Sequence, residues 1–533
     1  MSAEALVIGS GPNGLSAAIT LARAGRPVTV LEAAPRPGGA VVTEELTLPG
    51  YAHDTFSSVY PAAAASPVFE RFPLAAHGLR WVHPEACYAH PLPDGRGAAL
   101  YRDLDRTSAS LERLGAGQGE RWMRFAAPFL KRFDALRRTM LSGFPPLGGA
   151  ARLAAGLGPR TLIEFARLLL MPAQGLGEEL FSEPGARAWL YGSAMHGDVP
   201  PASAGSAVPA AYLNFLGHGV GWPSPEGGAG RLTGALISYL RSLGGEIRTG
   251  AEAVQIHTRR GRVTGVVLTG GERLAADIVI ADVMPGALAR LADGALPERY
   301  TRALCRYRPG PATLKVDWAL AGPIPWTSPE ARLAGTVHVG GDEQAVLATT
   351  AQPVGLPERP FMLLGQQSIA DPTRAPNGKH TAWAYTHGPH TVDWRAETGA
   401  HVGRMEAQIE RFAPGFRDLI LARHVLGPGD LQRRNANLTG GDVGGGSYAL
   451  DQVIFRPLPT LRPYRTPITG LHLGSAATFP GGAVHGVPGH AAARDALAQA
   501  RLSQFRRLGP ARRLTSGRPC RAGSRGDGRR RSP

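Results

Sequence analysis

Three glycines at positions 9, 11 and 14 and an acid at position 32 carry the most specific chemical signal in this chain. The apolar run Ala5-Leu6-Val7-Ile8 has the length of a buried parallel strand and leads directly into Gly9-Ser10-Gly11-Pro12-Asn13-Gly14. The first glycine of such a loop permits a tight turn, and the second lets a pyrophosphate approach the backbone. The third lets the following helix pack closely on the strand. A helix from Leu15 to Ala24 is expected, with Leu15, Ala18 and Ala22 on one face and Gly25 ending it. Its N-terminus would meet phosphate with free N–H groups and a positive dipole end. Pro27 to Leu31 reads as a second strand that delivers Glu32 to a ribose diol. A carboxylate there repels a 2′-phosphate and disfavours NADP. A glycine pattern alone means little in a chain with 70 glycines. Strand, turn, helix, strand and acid at this spacing predict an ADP-containing dinucleotide bound by Gly9, Gly11, Pro12, Asn13, Gly14 and Glu32.

Past the acid, Ala33-Ala34-Pro35-Arg36-Pro37-Gly38-Gly39 resembles the R-x-G-G segment of FAD-dependent amine oxidases and carotenoid desaturases. Gly38 to Glu45, with Pro49-Gly50-Tyr51 and Asp54, is similar to the phytoene dehydrogenase-like branch of that class. A second loop, Gly474 to Gly489, again lies between a strand and a helix, expected over His490 to Ala500. Its Pro480-Gly481-Gly482 and Gly486-Val487-Pro488-Gly489 are similar to the C-terminal FAD segment of carotenoid desaturases, and Gly446-Ser447-Tyr448 and Asp451-Gln452 to a related stretch upstream. The resemblance implies FAD as cofactor and an α/β fold. That fold is a discontinuous Rossmann-like FAD-binding domain with an α+β substrate domain of the amine oxidase/phytoene desaturase type. It implies that Arg36, Gly38 and Gly39 join the site and that Val254 meets the adenine through its backbone. Ser475, Gly481, Gly482, Gly486 and Val487 would lie by the flavin, with a helix end where negative charge gathers on reduction. Ser475 and Ala477 replace usual glycines, and Phe479 stands where a histidine often precedes Pro-Gly-Gly. Any role of that histidine is absent here or passes to His485, although a lone loop histidine is more often a hydrogen-bonding residue.

The elements that must position these loops are legible in patches. Residues 1–75, 223–290 and 440–505 are assigned to the FAD-binding domain, 76–222 and 291–439 to the substrate domain, and 506–533 to a disordered arginine-rich tail. Trp122, Phe125, Phe129 and Phe133 recur at helical spacing, as do Leu162, Phe165, Leu168 and Leu169. Pro145-Pro146 and Pro172 break these helices. Strands are expected at Glu246 to Thr249, Val254 to His257, Val263 to Leu268 and Asp277 to Ala281. Alternating runs follow at Thr313 to Trp318 and Phe361 to Gln366. His196 and Asp198 are expected to form a polar turn before Pro200-Pro201 rather than an acid/base pair.

At 533 residues the chain exceeds what one core supports. Cys87, Cys305 and Cys520 are far apart, which excludes a CxxC redox motif and points to burial for the first two. No apolar run reaches the roughly 18 residues of a membrane span, and a cytoplasmic location without a signal peptide is expected. Net charge +16 owes little to lysine, of which there are three. Arg506 to Pro533 holds ten arginines against Asp527, so +9 of the +16 sits there and +7 on the rest. No nucleic-acid partner is expected. Basic, apolar-faced helices around 120–140 and 160–171 leave open a peripheral contact with the inner face of the cell membrane. The resemblance implies a desaturase that extends the conjugation of an apolar polyene, possibly at the 3′,4′ bond of a hydroxylated carotenoid. The enzymatic alternative is an oxidase of an amine or other small molecule on the same fold, and the non-enzymatic one a protein in which FAD is structural. No metal site and no catalytic residue are assigned.

Overall fold

A computed structural model describes residues 4–350 and 355–507. Five short strands, Leu471–Leu473, Ile278–Ala281, Ala5–Ile8, Val28–Leu31 and Glu246–Arg248, form a parallel sheet in that spatial order. Its three central strands are buried at every position, as near-continuous apolar runs require when both faces are covered. Alternation then sorts the side chains. Ala5, Val7, Val28 and Val30 face the helices Pro12–Arg23, Gly230–Ser242 and Val487–Arg507. Leu6, Ile8 and Leu31 face an antiparallel sheet of Ala253–Arg259, Arg262–Leu268 and Arg273–Ala275. The parallel strands end level, because Ile8 pairs with both Leu31 and Ala281, and Ala281 with Leu473. Gly9, Glu32, Asp282 and Gly474 therefore emerge along one edge, where open α/β sheets place their ligands.

A second sheet has seven strands in the order Ile420–Leu426, Ala312–Leu320, His380–Gly388, Met362–Gly365, Ala334–Val339, Ala86–Pro91 and Gly97–Leu100. Neighbours are antiparallel except Ala334–Val339 with Ala86–Pro91. Leu314, Val316 and Trp318 pack against the helix Trp394–Phe412 on one face. On the other, Tyr88, Leu100 and Leu363 pack on the helices Gln118–Leu130, Pro184–Ala194 and Ala207–Val220.

Local details depart from expectation for physical reasons. The first helix begins at Pro12 rather than Leu15, since proline suits a first turn whose N–H has no helical acceptor. The last begins at Val487, not His490, and runs to Arg507, into the expected tail; residues 508–533 of that tail lie outside the described residues. Phe133 leaves the helical pattern of Trp122, because Arg132 breaks the helix at φ −118° and ψ 22°. It opens a new helix and packs against the parallel-sheet core instead. Cys87 is buried, whereas Cys305 is exposed, because Leu304 takes the core-facing position at that helix end. The run Ala312–Leu320 is buried at all nine positions, so its alternation separates two covered faces rather than core from solvent.

Candidate active site

The edge of the parallel sheet opens into a cavity of about 1760 Å³ lined by residues of both sheets. Single-ligand pockets span about 300–1,000 Å³, so this one exceeds what one compact ligand fills. Ten predicted residues line it: Gly9, Gly11, Pro12, Asn13, Glu32, Arg36, Gly39, Val254, Ser475 and Gly482. Gly14, Gly38, Gly481, Gly486 and Val487 do not line it; most of these glycines serve close packing behind it. A Cβ on Gly14 would stand 2.0 Å from the Gly9 carbonyl oxygen, and Gly9 itself has φ +98°. On Gly486, at φ +68°, a Cβ would meet Ser16 Oγ at 2.2 Å. Val254 is the extra residue of a β-bulge between Ala253 and Gln255, which turns it outward to 46% exposure.

At the glycine-loop end, Glu32 accepts hydrogen bonds from Ser10 N (2.9 Å), Ser10 Oγ (2.5 Å) and Ala34 N (2.9 Å). Ser10 Oγ also accepts the N–H of Gly38 at 3.0 Å, so one hydroxyl couples the acid to the R-x-G-G segment. The helix N-terminus is less free than the sequence implies. Asp282, at the tip of Ile278–Ala281, accepts the N–H of Gly14 at 2.9 Å. Its buried carboxyl is pushed up to about 7 by desolvation, against which the Gly14 N–H works. Asn437 donates to the Asp282 carbonyl at 2.9 Å and accepts from Met284 N at 3.1 Å, tying a distant loop to this strand end. Asn13 Oδ1 is buried without a partner. A turn with positive φ, a cradle that a Cβ would fill and an orphaned amide oxygen together fit an extended polar ligand such as FAD.

The opposite wall is polar. Cross-strand pairs Thr313–His387, Lys315–Tyr385 and Asp317–Trp383 share one face of the seven-stranded sheet. Lys315 donates to both oxygens of Asp317 at 2.5 and 2.6 Å and to the Asp54 carbonyl at 3.1 Å. Asp198, held at φ 53°, places Oδ1 2.7 Å from Nε2 of His387, within ion-pair distance but out of hydrogen-bond line. Burial is the largest influence and lowers the His387 pKa, but Asp198, Asp442 and the Ala312 backbone together raise it above its ordinary value. His196 Nε2 lies 2.9 Å from His338 Nε2, and burial lowers His196 to about 3, so this pair is neutral. The Met195–Asp198 segment does form a turn, yet both His196 and Asp198 line the cavity. Thr336 also lines it, with its hydroxyl buried and unpartnered. His485 instead holds its own loop, with Nε2 3.1 Å from the Gly482 carbonyl and Nδ1 accepting from Val487 N. Burial lowers it to about 4, and it does not reach the cavity. Phe479 packs on Phe144 at 5.2 Å between ring centres.

Asp282, Asn437, Lys315, Tyr385 and His387 escaped the sequence reading. Asp282 had a usable signal, an acid at the C-terminal tip of a buried parallel strand. The others depend on strand register and on a loop far away in sequence.

The model of the flavin containing amine oxidoreductase family matches residues 13–497. The chain is 28% identical to the rat "Pyridine nucleotide-disulfide oxidoreductase domain-containing protein 2", covering 92% of both proteins. It is 28% identical to an all-trans-zeta-carotene desaturase of Myxococcus xanthus, covering 89% of each. An oxidoreductase of Methanosarcina mazei shares the fold, with a TM-score of 0.64 at 17% identity over 93% of this chain and 100% of that one. With a family match over most of its length, the chain belongs to the flavin containing amine oxidoreductases and is an FAD-dependent oxidoreductase.

Proposed function

We propose that FAD lies with its ADP half against Gly9, Gly11, Pro12, Asn13 and Gly14 and its ribose on Glu32. Arg36, Gly38 and Gly39 would flank the phosphates, Val254 the adenine, and Ser475, Gly481, Gly482, Gly486 and Val487 the flavin end. The cofactor takes up a hydride from the substrate; the chain positions both and receives the accompanying proton. The reaction favoured here is desaturation of a carotenoid that carries a hydroxylated end, at or near its 3′,4′ bond. The observation that carries this reading is the mixed cavity. Leu213, Trp222 and Tyr60 suit an apolar chain, while Thr313, Lys315, Thr336, Tyr385 and Asp198 face the same space. A pure hydrocarbon would leave the Thr336 hydroxyl, which is buried without a partner, unpaired at a cost of about 1–3 kcal/mol, whereas a substrate hydroxyl pairs with it. The zeta-carotene desaturase named above acts on a carotene by its name, which supports the polyene class.

One observation bears on the amine oxidase reading. Trp383 and Tyr385 both line the cavity with nearly parallel rings, 5.9 Å between centroids and 6° between planes. At that spacing the rings contact each other, so they make a continuous aromatic wall and do not sandwich a substrate between them. Expression in a host that accumulates hydroxylated carotenoids tests the proposal. A pigment with a red-shifted spectrum is expected. An unchanged pigment, together with flavin bleaching by an amine, would establish the oxidase reading instead.

Approach from a membrane is part of the same proposal. Among the described residues no helix is long and apolar enough to cross one. The helix Leu147–Leu168 and the turn after it nevertheless expose Leu147, Ile163 and Leu170 beside Arg152, Arg160 and Arg167. Such a surface suits insertion at an anionic lipid interface. Replacement of Ile163 and Leu170 by Glu is expected to reduce sedimentation with anionic liposomes; unchanged sedimentation would remove the membrane from the account.

A further inference from the structure

Arg456 has no exposed surface. A buried guanidinium ordinarily has a carboxylate beside it, because an unpaired buried charge is costly. Arg374, equally buried, follows that rule, with Asp54 at 3.0 Å and Asp371 at 2.8 Å. No carboxylate among the described residues lies within ion-pair distance of Arg456. Its Nε and Nη2 donate to Tyr307 Oη at 3.0 and 2.6 Å, and Nη2 donates also to the carbonyls of Gly445 and Gly446 at 2.8 and 3.0 Å. The ring of Tyr448 covers its Cζ at 4.6 Å. Nη1 has no hydrogen-bond partner among the described residues, and it occupies the space where a side chain on Gly481 would stand, 2.2 Å from that Cβ.

This cation is placed one layer behind the cavity. Gly445 and Tyr448, which touch it, line the cavity beside Gly444 and Gly482, and the proposed function places Gly481 and Gly482 at the flavin end. Asp442, which braces the same loop, is committed elsewhere: it accepts the N–H groups of Gly444 and Gly446 at 2.7 and 2.6 Å, while Arg456 takes the carbonyl side of the loop. We propose that Arg456 is the counter-charge for the negative charge that the flavin ring gains on accepting a hydride, an inference that rests on the FAD placement given above. A hydride brings two electrons and one proton. The ring is left with one net negative charge unless a second proton follows, and a buried cation without a counter-ion opposes that second proton. The other titratable groups facing this end are Tyr307 and Tyr448 against the guanidinium, Asp442 behind the loop, and the Asp198–His387 pair. Burial pushes Tyr307 up to about 12, so it stays neutral.

The test is the two-electron midpoint potential of the FAD-loaded protein, read spectroscopically against reference dyes as pH varies. One proton per two electrons predicts a slope of about 30 mV per pH unit from about pH 6 to 8, and two protons about 59 mV. The wild-type protein is expected to show the smaller slope. Arg456→Met is expected to lower the potential by at least tenfold in the reduction equilibrium, about 30 mV for a two-electron couple, and Arg456→Lys to lower it less. The larger slope in the wild type, or an FAD-loaded Arg456→Met at the wild-type potential, would overturn the inference. If Arg456→Met fails to retain FAD, the wild-type slope alone decides. FAD placement is judged separately: unchanged FAD affinity in Glu32→Ala would remove the placement, whereas weakened affinity with the larger wild-type slope removes only the role of Arg456.

Discussion

Glu32 is the residue on which the cofactor site turns most simply. Its carboxylate is fixed by Ser10 and Ala34 and remains at the cavity wall. Hydrogen bonds to charged groups contribute about 1.5–3 kcal/mol. Glu32→Ala is therefore expected to weaken FAD binding roughly 10- to 150-fold, at 1.4 kcal/mol per decade, as measured by titration of apoprotein. Asp282 works in the opposite sense. Its carboxyl gives up its proton near 3.8 in the unfolded chain but only near 7 in the fold. Between those values the folded protein holds more protons, so stability falls as pH rises from about 4 to about 7 and is level above that. The loss is on the order of 4 kcal/mol at most. Asp282→Asn keeps an oxygen for the Gly14 N–H and abolishes the ionisation. The apoprotein of this variant should melt above the wild type at about pH 8 and near it at about pH 4. An equal difference at both values would mean that Asp282 does not ionise within the fold.

At the scale of elements, the glycine loop could be read from sequence because its whole logic is local. A strand, a turn and a helix lie within about twenty residues, and the close approach of Gly14 to Gly9 is local. Gly489 shows where that reading stops. A Cβ there would stand 1.8 Å from the Asn13 carbonyl oxygen, across 476 positions of chain, so this glycine sets how closely the last helix approaches the first. Gly489→Ala should cost about 1–3 kcal/mol through overpacking and loosen FAD by displacing Asn13. Gly403→Ala, in the helix Trp394–Phe412 with no atom near its Cβ position, should not destabilise. Thermal unfolding and FAD content check both; an unperturbed Gly489→Ala would mean the two helices can separate freely. Lys315 and His387 were hidden for a related reason. The strand of Lys315 is legible in the sequence and that of His387 is not, and register decides that the two share a face with Tyr385 and Thr313; register is a tertiary property. The alternating run is buried on both faces: the helix Trp394–Phe412 covers one, and the other lies toward the cavity wall.

At the scale of the whole molecule, a parallel sheet whose strand ends converge presents one wall of a large cavity, and a second sheet presents the other. The first wall holds the features expected from sequence. The second holds polar groups that no local pattern announced, and on them rests the proposal of an oxygen-bearing end rather than a bare hydrocarbon. Mixing the FAD-loaded protein anaerobically with a hydroxylated carotenoid, phytoene, lycopene or an amine, and following the flavin spectrum, tests this directly. The account predicts bleaching of the flavin by the hydroxylated carotenoid with a red shift of the carotenoid itself, and slower or no bleaching by phytoene and lycopene. Rapid bleaching by the amine, with every carotenoid inert, would contradict it.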